Sequence, residues 1–201
     1  MRLAELMEEY GARRPELLRR FPSLVPSLLE ASRSDPSWLG VVADLGDEAR
    51  AELGPTERDA ALSFLREALV RVAGEESFDL YELASIFAAA AGLRLDAKPL
   101  VDAWLALPGA DMAVARVLAA EWITAEGEPG SLEEQIGRLA VKSSVPRFDH
   151  HVDPQHALVR ALATEDVRAW IEERRLAEAD PERQEILSAV EQRITAERAL
   201  S

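Results

Sequence analysis

Residues 78–92 read FDLYELASIFAAAAG, a stretch that is apolar nearly all round after Glu82. A helix lying on a protein surface keeps one polar side at a 3.6-residue period, and this segment keeps almost none. The four alanines at 88–91 let a neighbouring backbone approach closely. The spacing therefore predicts a helix over 78–91 at the centre of an all-α domain. A bilayer span is excluded, because Asp79 and Glu82 interrupt a run of only about 16 residues, short of the roughly 20 that a span needs.

Working outward, start and stop signals divide the remaining chain into helices. Asp35-Pro36, Asp153-Pro154 and Asp180-Pro181 each place a capping acid before a proline at the first helical position. Ser131 with Glu134 has the capping-box spacing, and Thr56 with Asp59 is a weaker version. Gly46, Gly54, Gly74, Gly92 and Gly127 follow helical runs and read as C-terminal stops. The resulting helices are 2–10, 15–20, 23–32, 36–45, 47–53, 56–73, 78–91, 97–107, 110–126, 131–142, 154–163, 165–178 and 181–199. Within 56–73, Leu62, Leu65, Leu69 and Val72 form one apolar stripe. No apolar-polar alternation bounded by hairpin turns occurs, so no strand is expected. The expected fold is one all-α domain over 1–201, an irregular multi-helix bundle. A short HEAT-like α-solenoid of stacked hairpins is the alternative, pairing 36–53 with 56–73, 78–91 with 97–107 and 110–126 with 131–142. Only Trp38-Leu39 and Trp104-Leu105 recur between those pairs, whereas a true repeat holds a fixed period.

Composition narrows the function classes. The 201 residues are 48% hydrophobic and 30% charged, enough apolar side chains to drive folding of a globular chain. Zero cysteines exclude disulfides, Cys-ligated metal sites and thiol nucleophiles. The segment MRLAELMEEYGARR carries Glu5, Glu8 and Glu9 where a secretory leader needs an apolar run, which predicts a cytoplasmic protein without membrane association. A net charge of −14 repels phosphate backbones, so direct nucleic-acid binding is not expected, and it favours a basic partner. The charge is spread along the chain: residues 1–54, 55–92, 93–130 and 131–201 each sum to −3 or −4. Imitation of DNA, which needs carboxylates massed on one surface, is disfavoured by this interleaving.

Candidate chemistry concentrates in one place. All three histidines fall within Phe148-Asp149-His150-His151-Val152-Asp153-Pro154-Gln155-His156. Imidazole and carboxylate suit zinc, manganese or iron, so Asp149, His150, His151 and His156 are the candidate metal ligands of a metal-dependent hydrolase. Against it, Asp153 is explained as a helix cap, and the adjacent His150 and His151 diverge on an extended chain. No Gly-x-Ser-x-Gly, His-Glu-x-x-His or Gly-Lys-Ser/Thr pattern is present. The adjacent carboxylates Glu8-Glu9, Glu75-Glu76, Glu133-Glu134 and Glu172-Glu173 do not pair for acid-base work, since neighbours on a helix diverge by about 100°.

Binding therefore fits the sequence better than catalysis, and no cofactor is expected. Residues 143–153 form the longest stretch without helical periodicity, and Arg147, Phe148, His150 and His151 equip it to contact a partner. Trp38, Trp104, Trp122 and Trp170 read as core residues of amphipathic helices. Trp170 also fits an exposed anchor, because its helix offers few other apolar groups. In residues 181–199, Ile186, Leu187, Val190 and Ile194 make a narrow stripe suited to docking within the chain or to building a homo-oligomer. The expected function is a non-enzymatic protein-protein interaction module: an adaptor, or an acidic inhibitor of a basic partner in the manner of an immunity protein.

Overall fold

The computed structural model describes residues 3–49, 53–73, 80–118 and 154–200. Among these residues the chain forms nine helices and no strand. They are α1 (Leu3–Ser32), α2 (Ser37–Ala49), α3 (Pro55–Ala73), α4 (Leu80–Gly92), α5 (Lys98–Leu105), α6 (Ala110–Leu118), α7 (Pro154–Leu162), α8 (Glu165–Ala177) and α9 (Pro181–Leu200). The architecture is the irregular multi-helix bundle expected. Helix α4 lies at its centre, packed against α2, α3 and α7, and Leu83, Ile86, Phe87 and four of its alanines are buried. One continuous apolar core runs from Phe21 to Ile194. The most extensive helix contact skips a helix, α2 on α4, and α3 also packs on α5, while α1 with α2 and α8 with α9 are neighbours in sequence that pack on each other. The consecutive pairs expected of stacked hairpins, α2 with α3 and α4 with α5, are not among them.

Two Asp-Pro caps form as the sequence indicates. Asp35 Oδ1 accepts from Ser37 N at 3.0 Å, the Ser37 hydroxyl and then this backbone bond hold the Asp35 carboxyl below its usual range, and Asp180 Oδ1 accepts from Glu182 N at 3.0 Å. Pro154 begins α7, while Asp153 and the Ser131–Glu134 pair lie outside the described residues. The Thr56 cap does not form: α3 begins one residue earlier, at Pro55, and Gly54 O accepts from Arg58 N at 2.9 Å.

Three other local expectations are corrected. The separate helices expected over 2–10, 15–20 and 23–32 are replaced by one 30-residue helix, Leu3–Ser32, that passes through Pro15, Pro22 and Pro26. Each proline removes a backbone donor. Phe21, Val25 and Leu29, four residues apart, bury one face of the helix, while Pro15 and Pro26 are exposed and Pro22 is half-buried. Helix α2 likewise runs through Gly46 instead of stopping there. A Cβ on Gly46 would sit 2.7 Å from Gly92 O, and one on Gly92 would sit 2.6 Å from Ala43 Cα. Both glycines serve the α2–α4 crossing, where backbone meets backbone. Of the tryptophans, Trp104 is fully buried, Trp170 is half-buried and Trp38 is 40% exposed; Trp122 lies outside the described residues. Trp38 opens the first turn of α2, where Leu39 and Val42 take the inward positions.

The end of α4 also departs from the expected glycine stop. Leu95 N donates to Ala90 O at 2.9 Å and Arg94 N to Ala91 O at 2.9 Å, the paired bonds of a Schellman turn. Its left-handed residue is Arg94, with φ 54°. Arg58 Nη2 on α3 donates to the Arg94 carbonyl at 2.8 Å and ties the turn to the neighbouring helix.

Candidate functional site

The α4–α5 turn sets one wall of a cleft of about 570 Å³ that opens between α4, α5, α7 and the start of α8. That volume lies within the roughly 300–1,000 Å³ of ligand pockets, which in helical bundles form between helices. Its floor is apolar: Phe87 and Ala91 from α4, Leu95 from the turn, Val101 and Leu105 from α5. Ala157 and Ala161 of α7, one turn apart, keep the opposite wall thin. Phe87 is backed by Trp104, with ring centroids 6.2 Å apart and planes tilted by 46°. Both rings are buried in the core, so this floor is rigid.

Charged groups surround that floor. Asp96 Oδ1 accepts from Lys98 N at 2.9 Å at the start of α5, whose N-cap is Ala97 and whose second residue is Pro99. From the first turn of α5, Lys98 Nζ reaches Asp166 on α8 at 2.7 Å and Asp102, one turn on, at 3.4 Å. The hydrogen bond to Asp166, then that to Asp102, raises the Lys98 ammonium above its usual value, and the same bond lowers Asp166. All three side chains are more than half exposed, so the pairs are screened and add little to stability. They nevertheless join α5 to α8 across the mouth. Thr164 caps α8 by accepting from Val167 N at 3.3 Å, which places Asp166 on the first turn at the rim. On α7, His156 and Arg160 stand four residues apart, exposed on the cleft side.

Of the residues singled out from the sequence, Arg147, Phe148, Asp149, His150 and His151 lie outside the described residues. His156 lies on α7 at the cleft. Trp170 lies on α8 away from the cleft lining, half-buried, with the Arg174 guanidinium 5.0 Å from its ring centroid. Among the described residues no three His, Asp or Glu side chains converge on a possible metal position. Leu187, Val190 and Ile194, the α9 stripe, are fully buried within the chain, where α9 packs on α8 and α6.

Lys98, Asp102, Arg160 and Asp166 were not anticipated from the sequence. The segment Asp96-Ala97-Lys98-Pro99 carries a legible capping signal, an Asp with a proline three residues on. Nothing local links Lys98 to Asp166, 68 residues away. No family model, curated protein or solved structure matches the chain.

Proposed function

We propose that the protein is a non-enzymatic binding module of the cytoplasm that engages a basic protein partner, with the cleft between α4, α5, α7 and α8 as its anchor pocket. The observation that carries this reading is the rigid apolar floor under Phe87, Leu95, Val101 and Leu105, ringed by charge, which suits a buried anchor side chain inside a polar rim. The net charge of −14 supports a basic partner, because it speeds encounter with cations and repels acidic competitors. An adaptor, or an acidic inhibitor of the immunity-protein type, is the concrete form of this proposal.

A peptide library displayed on phage and selected on the folded chain tests it. Enriched sequences should combine one large apolar residue with neighbouring Lys or Arg. Their binding should be lost in Ala91→Trp, which fills the cleft from an exposed position on α4. Acidic consensus sequences, or binding indifferent to Ala91→Trp, would overturn the reading.

A further inference from the structure

Charge is divided unequally around the cleft. On the α5 and α8 side, Asp102 and Asp166 share one ammonium, that of Lys98, and Asp96 accepts from the Lys98 backbone N–H, which leaves two negative charges in excess. On the α7 side stands Arg160, an exposed guanidinium that has no ion-pair partner among the described residues. Between these edges lies the apolar floor. A ligand complementary to all three carries an anion at one end, a large apolar group beside it and cations further along.

We propose that the cleft receives the free C-terminus of a basic peptide segment. The terminal carboxylate sits on Arg160, the last apolar side chain fills the floor over Phe87 and Leu95, and upstream Lys or Arg residues lie along Asp96, Asp102 and Asp166. A planar guanidinium takes a carboxylate through two parallel hydrogen bonds, so it distinguishes a terminal carboxylate from an amide. Capture of a chain terminus is a recurring recognition mode, and the upstream cations separate this ligand from a simple fatty acid. The exposed Lys98 ammonium gives way readily to an incoming guanidinium, because its bonds compete with water. This inference rests on the proposed anchor role of the cleft and names its occupant.

Four probes test it by calorimetry on the full chain: the acetylated hexapeptide Ser-Lys-Arg-Ser-Leu-Phe with a free carboxyl end, the same peptide as its C-terminal amide, an analogue with Glu-Glu in place of Lys-Arg, and decanoate. The free acid should bind about tenfold tighter than the amide, and Arg160→Ala should bring the two to equal affinity. The Glu-Glu analogue and decanoate should bind more weakly than the Lys-Arg acid, and Ala91→Trp should abolish binding of every probe. Equal affinity of acid and amide for the wild type, with both still lost in Ala91→Trp, overturns the C-terminus assignment and leaves the anchor pocket standing. Binding that survives Ala91→Trp overturns the anchor pocket itself. Decanoate binding as tightly as the Lys-Arg acid assigns the site to an apolar acid and overturns the peptide. The inference also falls if none of the peptides binds while library-selected ligands do.

Discussion

Two helix pairs of this chain are held together by opposite means. At the α2–α4 crossing, Gly46 and Gly92 bring backbone against backbone inside the core. In the α8–α9 hairpin the apolar stripe is narrow: Val167 and Ile171 face Leu187, Val190 and Ile194. Arginines flank that stripe. Arg168 reaches Glu165 at 2.6 Å and Glu191 at 3.0 Å, Arg175 reaches Glu191 at 3.2 Å, and Arg198 pairs with Glu165. The first pair is specified by shape. The second combines a small apolar seam with half-exposed charges, so solution conditions alter it.

The largest expected effect comes from breaking the first pair. Any Cβ at position 92 meets Ala43 Cα at 2.6 Å and lies closer still to the Ala43 carbonyl oxygen, and neither can move without displacing α2. Gly92→Val should therefore lower unfolding free energy by about 3 kcal/mol, measured by urea denaturation. Gly40 is the control. Nothing lies within 4 Å of a Cβ there, so Gly40→Ala should be neutral or stabilising by up to about 1 kcal/mol. Equal responses at the two positions would show that the crossing is not closely packed. Next in size is Leu187→Ala in the second pair. It removes a fully buried side chain from the α9 stripe and should cost about 2.5 kcal/mol, equally at low and high salt.

A smaller effect separates the two pairs by their electrostatics. Arg168→Ala removes the arginine that joins Glu165, Glu172 and Glu191. Its melting temperature should fall below that of the wild type at low salt, and the gap should narrow as salt is added. The hydrogen bond from Arg168 holds Glu165 below its usual value, and the bond from Lys98 does the same for Asp166. A carboxylate whose value is depressed by folding stabilises the native state above its unfolded value, about 4, and that contribution is lost as pH falls through the folded value. The difference between wild type and Arg168→Ala should thus be full at pH 7 and close as the medium is acidified below about pH 4. For Gly92→Val the deficit should persist across the same range. A difference for Arg168→Ala independent of both salt and pH would mean that its aliphatic stem, not its charge, holds the hairpin.

What the sequence disclosed follows the same division. Helix α4 was legible because an apolar period leaves no polar side to face water, and the Asp35 and Asp180 caps were legible because their bonds are local. Gly46 was misread because a glycine that ends a helix and one that admits a second backbone look alike until the crossing is known. The three prolines hid the length of α1, since the burial of Phe21, Val25 and Leu29 is a tertiary fact. The cleft stayed invisible because its parts come from four helices and its bridging pair, Lys98 with Asp166, is 68 residues apart. The segment 143–153, on which the sequence places partner contact, lies outside the described residues, and His156, the described member of the wider histidine cluster, lines the cleft.

The smallest expected effect refines the comparison at the turn that joins the α2–α4 core to the cleft. Arg94 occupies a left-handed conformation, which costs a residue with a Cβ about 1 kcal/mol or more relative to glycine. Its side chain is exposed and makes no bond among the described residues, while its carbonyl accepts from Arg58, a bond that glycine retains. Arg94→Gly relieves the backbone strain but adds conformational freedom to the unfolded chain, an offset of roughly 0.4–1 kcal/mol. The net should be a gain of about 0.5 kcal/mol in unfolding free energy, read by urea denaturation. Ligand affinity should not change, since Leu95 and Asp96 keep the positions that the Schellman bonds give them on the cleft wall. A loss of stability would show that the Arg94 side chain, not the backbone bonds, holds the turn. A loss of affinity at unchanged stability would make Arg94 itself part of the binding surface.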